Sequence, residues 1–214
     1  MQVNQGPPMP APIRPDQEPS MSATLTAAPP VRYPPGDLAI WIFILAELAV
    51  FAIFFASYAF ARMGDVAMFN EYQATLDKGA ALINTLALIT SSYFVVRAIA
   101  AIREDQPKTS VRWLLAALAM GALFLVVKSA EYAHHFGEGV RLSSNTFYMF
   151  YLSLTFFHFL HVVLGMVIPA AVALKTHQGA YSASEHTGME TGGVYWHMVD
   201  LVWLILFPLV YVMR

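Results

Sequence analysis

The stretch Leu38–Phe60, LAIWIFILAELAVFAIFFASYAF, decides the fold of this chain. It is a continuous apolar run, and about 20 residues of helix cross the hydrocarbon core of a bilayer. One carboxylate, Glu47, lies near the middle of the run. A carboxylate at that depth costs roughly 2.5–3.5 kcal/mol on membrane-insertion scales. The stretch therefore predicts a membrane-spanning helix whose acid needs a partner or a proton.

The composition of the whole chain is that of an integral membrane protein. Hydrophobic residues make up 57% of its 214 residues and charged residues only 12%, whereas soluble domains carry about 25% charged residues. The formal net charge of −2, without any Lys/Arg cluster, argues against a nucleic-acid partner. The chain has no cysteine, which excludes disulfides, thiolate metal sites and cysteine nucleophiles.

Five apolar runs predict an all-α membrane protein, a five-transmembrane-helix bundle. Residues 1–35 are Pro-rich and have no apolar period, so we expect a disordered N-terminal tail ahead of the transmembrane domain 36–214. Asp37 is the expected N-cap of the first helix. The predicted spans are about 38–62, 79–102, 111–133, 146–174 and 194–213. Lys and Arg are more frequent on the side of the tail, which predicts a cytoplasmic N-terminus and a C-terminus outside.

Glu47 has two interpretations that the residues alone do not separate. One is a proton-handling or gating carboxylate, since acids within membrane spans often have that role. The other is a protonated or hydrogen-bonded acid that joins two helices. Because desolvation disfavours the charged form of a carboxyl group, we expect Glu47 to be neutral at pH 7.

Four further polar residues lie in the predicted fourth and fifth spans. His158 and His161 share one helical face, and His197 and Asp200 follow in the first turns of the last span. Two imidazoles at this spacing can ligate a metal if another residue, such as His197 or Asp200, supplies a third ligand. A Glu-x-x-His motif starts at Glu131, but a di-iron bundle needs two such motifs. The alternative is interhelical hydrogen bonding.

Lys128 and Glu131 lie on one face of the predicted third span, near its exit from the membrane. Their i, i+3 spacing predicts an ion pair at the outer interface. A contact with lipid headgroups is the alternative. The sequence has no Gly-x-Ser-x-Gly elbow and no phosphate-binding loop, so we assign no catalytic residue.

Four blocks of the chain, taken together and in this order, resemble subunit III of the haem–copper oxidases (the cytochrome c oxidase subunit III family). The resemblance extends from about Gly36 to Arg214. The blocks are WIFILAELAVFAIFFASYAF (41–60), KSAEY (128–132), TFFHFLHVVLG (155–165) and YWHMVDLVWLILFPLVY (195–211). Five spans match the shorter bacterial forms of this family, which implies the bacterial inner membrane, with the C-terminus in the periplasm.

The resemblance also implies partners and roles. Such a subunit has no haem or copper of its own, binds phospholipid, and packs against the haem-bearing catalytic subunit I. It supports proton uptake and protects the catalytic site during turnover. Glu47, His158, His161, His197 and Asp200 correspond to intramembrane polar residues of the family pattern, with proton-related or structural roles.

Three alternatives remain open at this point. The segment PGDLAIWIFILAE (35–47) and the short chain also resemble the branch encoded with bacterial nitric oxide reductases. That resemblance implies an accessory subunit of nitric oxide reduction instead of an oxidase subunit. Functions from other classes are a membrane transporter that uses Glu47 and the histidines, and a stand-alone membrane metalloenzyme.

Overall fold

The computed structural model describes residues 37–213. The predicted disordered tail, residues 1–35, lies outside the described residues. Within residues 37–213 the chain forms α-helices, a terminal π-helical segment and no strand. The elements are α1 Leu38–Gly64, α2 Val66–Ala74, α3 Lys78–Arg103, α4 Pro107–Gly137, α5 Thr146–His177, α6 Thr187–Phe207 and the π-helical segment Pro208–Val212.

Five of these segments are long and apolar enough to cross a membrane, which confirms the predicted all-α bundle. They are α1, α3, α4, α5, and α6 together with the π-helical segment. Successive long helices run antiparallel, so the bundle has two ends. We call the end where α1 begins the N-terminal end, and it also holds the α3–α4 turn and the α5–α6 loop. The C-terminal end holds α2, the α4–α5 loop and the π-helical segment.

Helix α1 lies at the edge of the bundle. The side chain of Asp37 accepts a hydrogen bond from the Ala39 N–H, which confirms the predicted N-cap. Ile44, Phe51 and Tyr58 are the buried residues of α1 and recur every seven residues, as one face of a helix requires. The other apolar side chains of α1 are exposed or only partly buried, so most of its surface is free to face lipid or another protein.

Helices α3 and α4 form a close antiparallel pair. The hydroxyl of Ser91 donates to the carbonyl of Ala117 at 2.8 Å, and the hydroxyl of Ser110 donates to the carbonyl of Ala98 at 2.9 Å. Small residues let two helix backbones approach closely in a membrane, and such interhelical hydrogen bonds contribute about 0.6 kcal/mol on average. The two serine bonds therefore fix the register of the pair.

Two glycines bring the first turns of α6 close to the rest of the bundle. A Cβ on Gly192 would lie 2.8 Å from a methyl carbon of Ile168 in α5, and a Cβ on Gly193 would lie 2.8 Å from Ile99 in α3. Real side-chain carbons do not approach this closely, so a neighbour would have to move. At Gly193 that neighbour is the far end of the Ile99 side chain, which can shift, whereas at Gly192 it is the branched methyl next to the Ile168 backbone. Gly192 is therefore the position that needs glycine. Helix α6 thus packs closely against α3 and α5 from its first two turns onward.

Two spans exceed their predicted length by about two turns, whereas the others differ from it by at most three residues. Helix α4 runs from Pro107 to Gly137, instead of 111–133, and α6 begins at Thr187 instead of residue 194. The added turns hold histidines, glycines and charged residues. Hydropathy therefore places them outside the membrane core, but a helix can continue beyond the core because its backbone hydrogen bonds are satisfied internally.

The connection between the first two spans contains a short helix, α2, in addition to the five predicted spans. Asp65 caps α2, with its side chain accepting from the Met68 N–H at 3.1 Å. Phe69 and Gln73 are the buried residues of α2. The amide of Gln73 donates to the Val210 carbonyl at 2.9 Å, so α2 anchors the C-terminal π-helical segment.

Candidate functional site

The first polar cluster joins α1 to α5 through Glu47 and His161. Oε2 of Glu47 lies 3.1 Å from Nε2 of His161. Phe51 and Phe157 contact the imidazole edge-on, with ring centroids 5.2 and 4.6 Å from its own. The side chain of Glu47 is 21% exposed and that of His161 is 11% exposed. The partner of the intramembrane acid is thus one of the predicted histidines, at the rim of the bundle.

The other ring nitrogen of His161 sets the number of protons in this pair. Nδ1 lies 2.8 Å from the carbonyl oxygen of Phe157, and a carbonyl only accepts, so Nδ1 carries a hydrogen. In a neutral imidazole Nε2 then carries no hydrogen. A hydrogen bond between Nε2 of His161 and Oε2 of Glu47 therefore requires one proton between these two atoms. The pair therefore shares one proton, either as a carboxyl group on a neutral imidazole or as a carboxylate on an imidazolium. The neutrality of Glu47 stays a prediction.

The second cluster surrounds Lys128 in α4, which is fully buried. Its Nζ lies 3.0 Å from Oε2 of Glu131 and donates to the hydroxyl oxygens of Tyr211 at 2.5 Å and Tyr151 at 3.2 Å. Both tyrosines in turn donate to Oε1 of Glu131. The predicted ion pair exists, but it lies inside the bundle and not at the membrane interface.

This arrangement accounts for a lysine in the bundle core. Buried charges are tolerated when they are paired and when their remaining hydrogen-bonding capacity is used. The ring of Tyr132 also lies 4.9 Å from Nζ of Lys128, within the range of a cation–π interaction. Full burial keeps Lys128 away from lipid headgroups, which corrects the alternative prediction for this residue.

Tyr151 and Tyr211 are site residues that the sequence reading missed. Tyr151 lies seven residues before His158, on the same face of α5, so helical periodicity could have found it. Tyr211 depends on the π-helical segment, in which the Met213 N–H donates to the Pro208 carbonyl at 2.8 Å. An i→i+5 bond shifts the register of the last turn, and no sequence pattern predicts where such a turn directs its side chains.

His158 lies on α5 between the first two clusters and is fully buried. Within the described part of the chain neither of its ring nitrogens has a hydrogen-bond partner. Its ring packs edge-on against Phe124 at 5.7 Å and tilted against Trp203 at 5.2 Å. The structure therefore gives His161 an interhelical hydrogen bond and gives His158 aromatic packing.

The third cluster lies between α3 and α6. Nδ1 of His197 is 3.1 Å from the hydroxyl oxygen of Ser92. Asp200 is 8% exposed, and its Oδ1 has no hydrogen-bond partner among residues 37–213. His197 also lines a cavity of about 250 Å³ toward the N-terminal end, together with Arg103 and Glu190, which form an ion pair at 2.5 Å. An opening at this end of the bundle, lined in part by this ion pair, thus reaches His197.

The candidate metal ligands are not brought together in the described part of the chain. Within the described range, 37–213, no group of three or more His, Cys, Asp or Glu residues is placed to hold a metal ion. Glu131 pairs with Lys128, His161 with Glu47, and His197 with Ser92. The chemistry that these clusters do support is the holding of protons, because the first and third combine a carboxyl group with an imidazole.

Comparison with known proteins shows which proteins this chain is similar to. The sequence model of cytochrome c oxidase subunit III matches residues 36–214. The cytochrome c oxidase subunit 3 of Synechocystis sp. is 35% identical over 174 residues, which cover 80% of this chain and 73% of the relative. That of Thermostichus vulcanus is 34% identical over 179 residues, or 82% and 86% of the two chains. A probable quinol oxidase subunit 3 of Staphylococcus aureus is 28% identical over 176 residues, or 82% and 88%.

Proposed function

Because the chain belongs to the cytochrome c oxidase subunit III family, we propose that it is a non-catalytic subunit of a respiratory haem–copper oxidase in aerobic electron transport. The observation that carries this proposal is the family match over residues 36–214, which includes every membrane-spanning helix described above. The chain is a multi-pass membrane protein, and its family implies association with a catalytic oxidase subunit.

The proposed partner is the haem-bearing subunit I, which holds the haem and copper, while this chain contributes no cofactor of its own. The proposed location is the bacterial inner membrane, with the N-terminus in the cytoplasm and the C-terminus in the periplasm. The positive-inside rule supports this orientation. Arg103, Lys108, Arg112 and Lys175 all flank the N-terminal end of the bundle.

In this proposal the Glu47–His161 pair supports proton uptake by the partner. The pair shares one proton, and the 21% exposure of Glu47 leaves it accessible from outside the bundle. A proton held at the rim can pass to a neighbouring subunit, whereas one in the core cannot. The Lys128 cluster has a different role, since it joins α4, α5 and the π-helical segment in one buried network.

The experiment compares the oxidase purified with this chain and the oxidase purified from a deletion strain. We expect the same haem absorption in both, but slower proton uptake and faster loss of activity during turnover without the chain. Glu47→Gln should slow proton uptake in the complete complex. Ser57→Ala on the same helix is the matched control, because among residues 37–213 the Ser57 hydroxyl donates only within its own helix, at 2.8 Å to the Ile53 carbonyl. If the rate of proton uptake and the loss of activity during turnover were the same with and without the chain, the proposal would be contradicted.

The other functions remain distinguishable by assay. The nitric oxide reductase alternative has no support from the relatives described above, and the same preparation can be assayed with dioxygen and with nitric oxide. A transporter would move solute in liposomes without a haem-bearing partner. A metalloenzyme would retain stoichiometric metal when purified alone.

A further inference from the structure

Four ionisable side chains form a line along one face of α4 and end at its C-cap residue. They are Lys128, Glu131, His135 and Glu138, and residues three or four positions apart lie on the same face of a helix. A rise of 1.5 Å per residue gives the line a length of about 15 Å. In that order the side chains are 0%, 4%, 5% and 56% exposed, so the line runs from the bundle core to the surface of the C-terminal end.

The line has one gap, between Glu131 and His135. At its inner end Oε2 of Glu131 lies 3.0 Å from Nζ of Lys128, and at its outer end Nδ1 of His135 lies 3.8 Å from Oε2 of Glu138. Oε2 of Glu131 and Nδ1 of His135 are both buried, and within residues 37–213 neither takes part in a hydrogen bond. The two polar atoms without a hydrogen bond thus belong to the two residues that border the gap.

A cavity of about 430 Å³ adjoins the gap. Glu131 and His135 both line it, together with Thr75 and Asp77 from the turn before α3. One water needs a cavity of only about 10–15 Å³ and two to four polar partners. A water between Glu131 and His135 would donate one hydrogen to Oε2 and the other to Nδ1. The site therefore has both the room and the acceptors for water.

The neighbouring elements leave Oε2 as the oxygen of Glu131 that remains for a water. Tyr151 of α5 and Tyr211 of the π-helical segment both donate to Oε1. Tyr151 also lies edge-on to the ring of His135, with centroids 5.6 Å apart. The other ionisable groups around the gap lie on α4, its C-cap, α5 and the turn before α3, and they are Lys128, His134, Glu138, Tyr148 and Asp77.

We propose that a water molecule bound between Glu131 and His135 completes a proton path from the C-terminal surface to the buried Lys128–Glu131 pair. In the outward direction Nζ of Lys128 gives a proton to Oε2 of Glu131, which passes it to the water. The water gives one of its own protons to Nδ1 of His135. Lys128 is then a neutral amine, Glu131 is a carboxylate again and the water is unchanged. The imidazolium loses its extra proton to solvent beside Glu138, and the reverse steps refill the pair.

This path gives the Lys128 cluster a function besides joining helices. The cluster exchanges a proton with the C-terminal end of the bundle, whereas the Glu47–His161 pair lies at the rim and the cavity at His197 opens toward the N-terminal end. The inference goes beyond the proposed function, and its test does not depend on a partner subunit.

A rapid change of pH, followed by tryptophan fluorescence, tests the path. The ring of Trp203 lies 6.0 Å from Nζ of Lys128, so its emission should change when the ammonium becomes a neutral amine. The full chain, purified in mild detergent, is mixed with alkaline buffer in a stopped-flow instrument. We expect a fluorescence change that is absent in Trp203→Phe and in Lys128→Met. Its rate measures how fast the pair loses its proton.

His135→Phe keeps an aromatic ring against α5 but has no nitrogen to accept the proton. It should slow the fluorescence change about a hundredfold, the scale on which a positioned proton-transfer group acts. His134→Phe is the matched control, because His134 is the neighbouring histidine and its side chain is 70% exposed. This variant should keep the original rate. A cooperative thermal transition shows that each variant is folded.

Ala130→Trp tests the water separately from the histidine. Ala130 lines the cavity, and an indole there would displace water, so the fluorescence change should slow as it does in His135→Phe. Ser129→Trp is the control, because Ser129 is exposed and does not line the cavity, and it should keep the original rate. The original rate in either His135→Phe or Ala130→Trp would overturn the inference, and so would a Trp203 emission that does not change with pH.

Discussion

Removing one charge of the Lys128–Glu131 pair should destabilise the protein more than removing both. In Glu131→Leu the ammonium of Lys128, which is 0% exposed, loses its counterion in the core. Breaking a buried pair in this way costs about 3–5 kcal/mol. Lys128→Met added to Glu131→Leu leaves no buried charge. The hydroxyls of Tyr151 and Tyr211 are close enough to bond to each other, so only one of them still lacks an acceptor, at about 1–3 kcal/mol. The double variant should therefore be more stable than Glu131→Leu by about 2 kcal/mol.

Thermal unfolding of the purified complex, followed by tryptophan fluorescence, measures this difference. Trp203 is a suitable reporter because its ring lies 6.0 Å from Nζ of Lys128. At about 2–4 °C per kcal/mol for a chain of this size, Glu131→Leu should lower the midpoint by about 6–20 °C. The second substitution should restore about 4–8 °C of that loss. If the double variant unfolded at the sum of the two single losses, the two charges would be independent and the cluster reasoning would be wrong.

Three further predictions test other parts of the structure. Because we expect the Glu47–His161 pair to be neutral, Glu47→Gln should remove a protonated-carboxyl band from the infrared spectrum at pH 7. If the spectrum of the unsubstituted protein lacked that band, the pair would be a carboxylate and an imidazolium instead. Gly192→Ala should lower the free energy of unfolding by about 1–3 kcal/mol because its Cβ would lie 2.8 Å from a neighbouring isoleucine. Gly137→Ala is the control, since a Cβ there has no neighbour within 4 Å, and it should leave the unfolding midpoint unchanged. Equal losses in the two variants would contradict the packing argument. Gln73→Leu should leave a buried carbonyl of the π-helical segment without its donor and speed digestion from the C-terminus, while the exposed Glu71→Ala on the same helix should digest at the original rate. Equal digestion of these two variants would mean that α2 does not anchor that segment.

The five spans were predictable because apolar length is a property of the sequence alone. The N-cap at Asp37 was predictable for the same reason, since a capping side chain acts on its own helix. Helix α2 was not, because only two of its residues, Phe69 and Gln73, are buried, and so short an apolar signal does not differ from a polar loop. The early start of α6 depends on what Gly192 and Gly193 touch in other helices.

The candidate site was predictable in its members but not in its pairings. Glu47 and His161 were both selected as polar residues in apolar spans, but their contact requires α1 to pack against α5. The Lys128–Glu131 pair follows from i, i+3 spacing, whereas its burial depends on Tyr151 and Tyr211 from two other elements. Residues that act within one helix can be found in its sequence. Residues that meet across helices need the fold.

The most direct test of the subunit assignment is to purify the chain by a tag in mild detergent and record the reduced-minus-oxidised absorption spectrum of what comes with it. The account predicts a haem spectrum in a fixed ratio to this chain, carried by a larger membrane subunit, together with oxidase activity. A stable chain that purifies alone, without haem absorption, would contradict it.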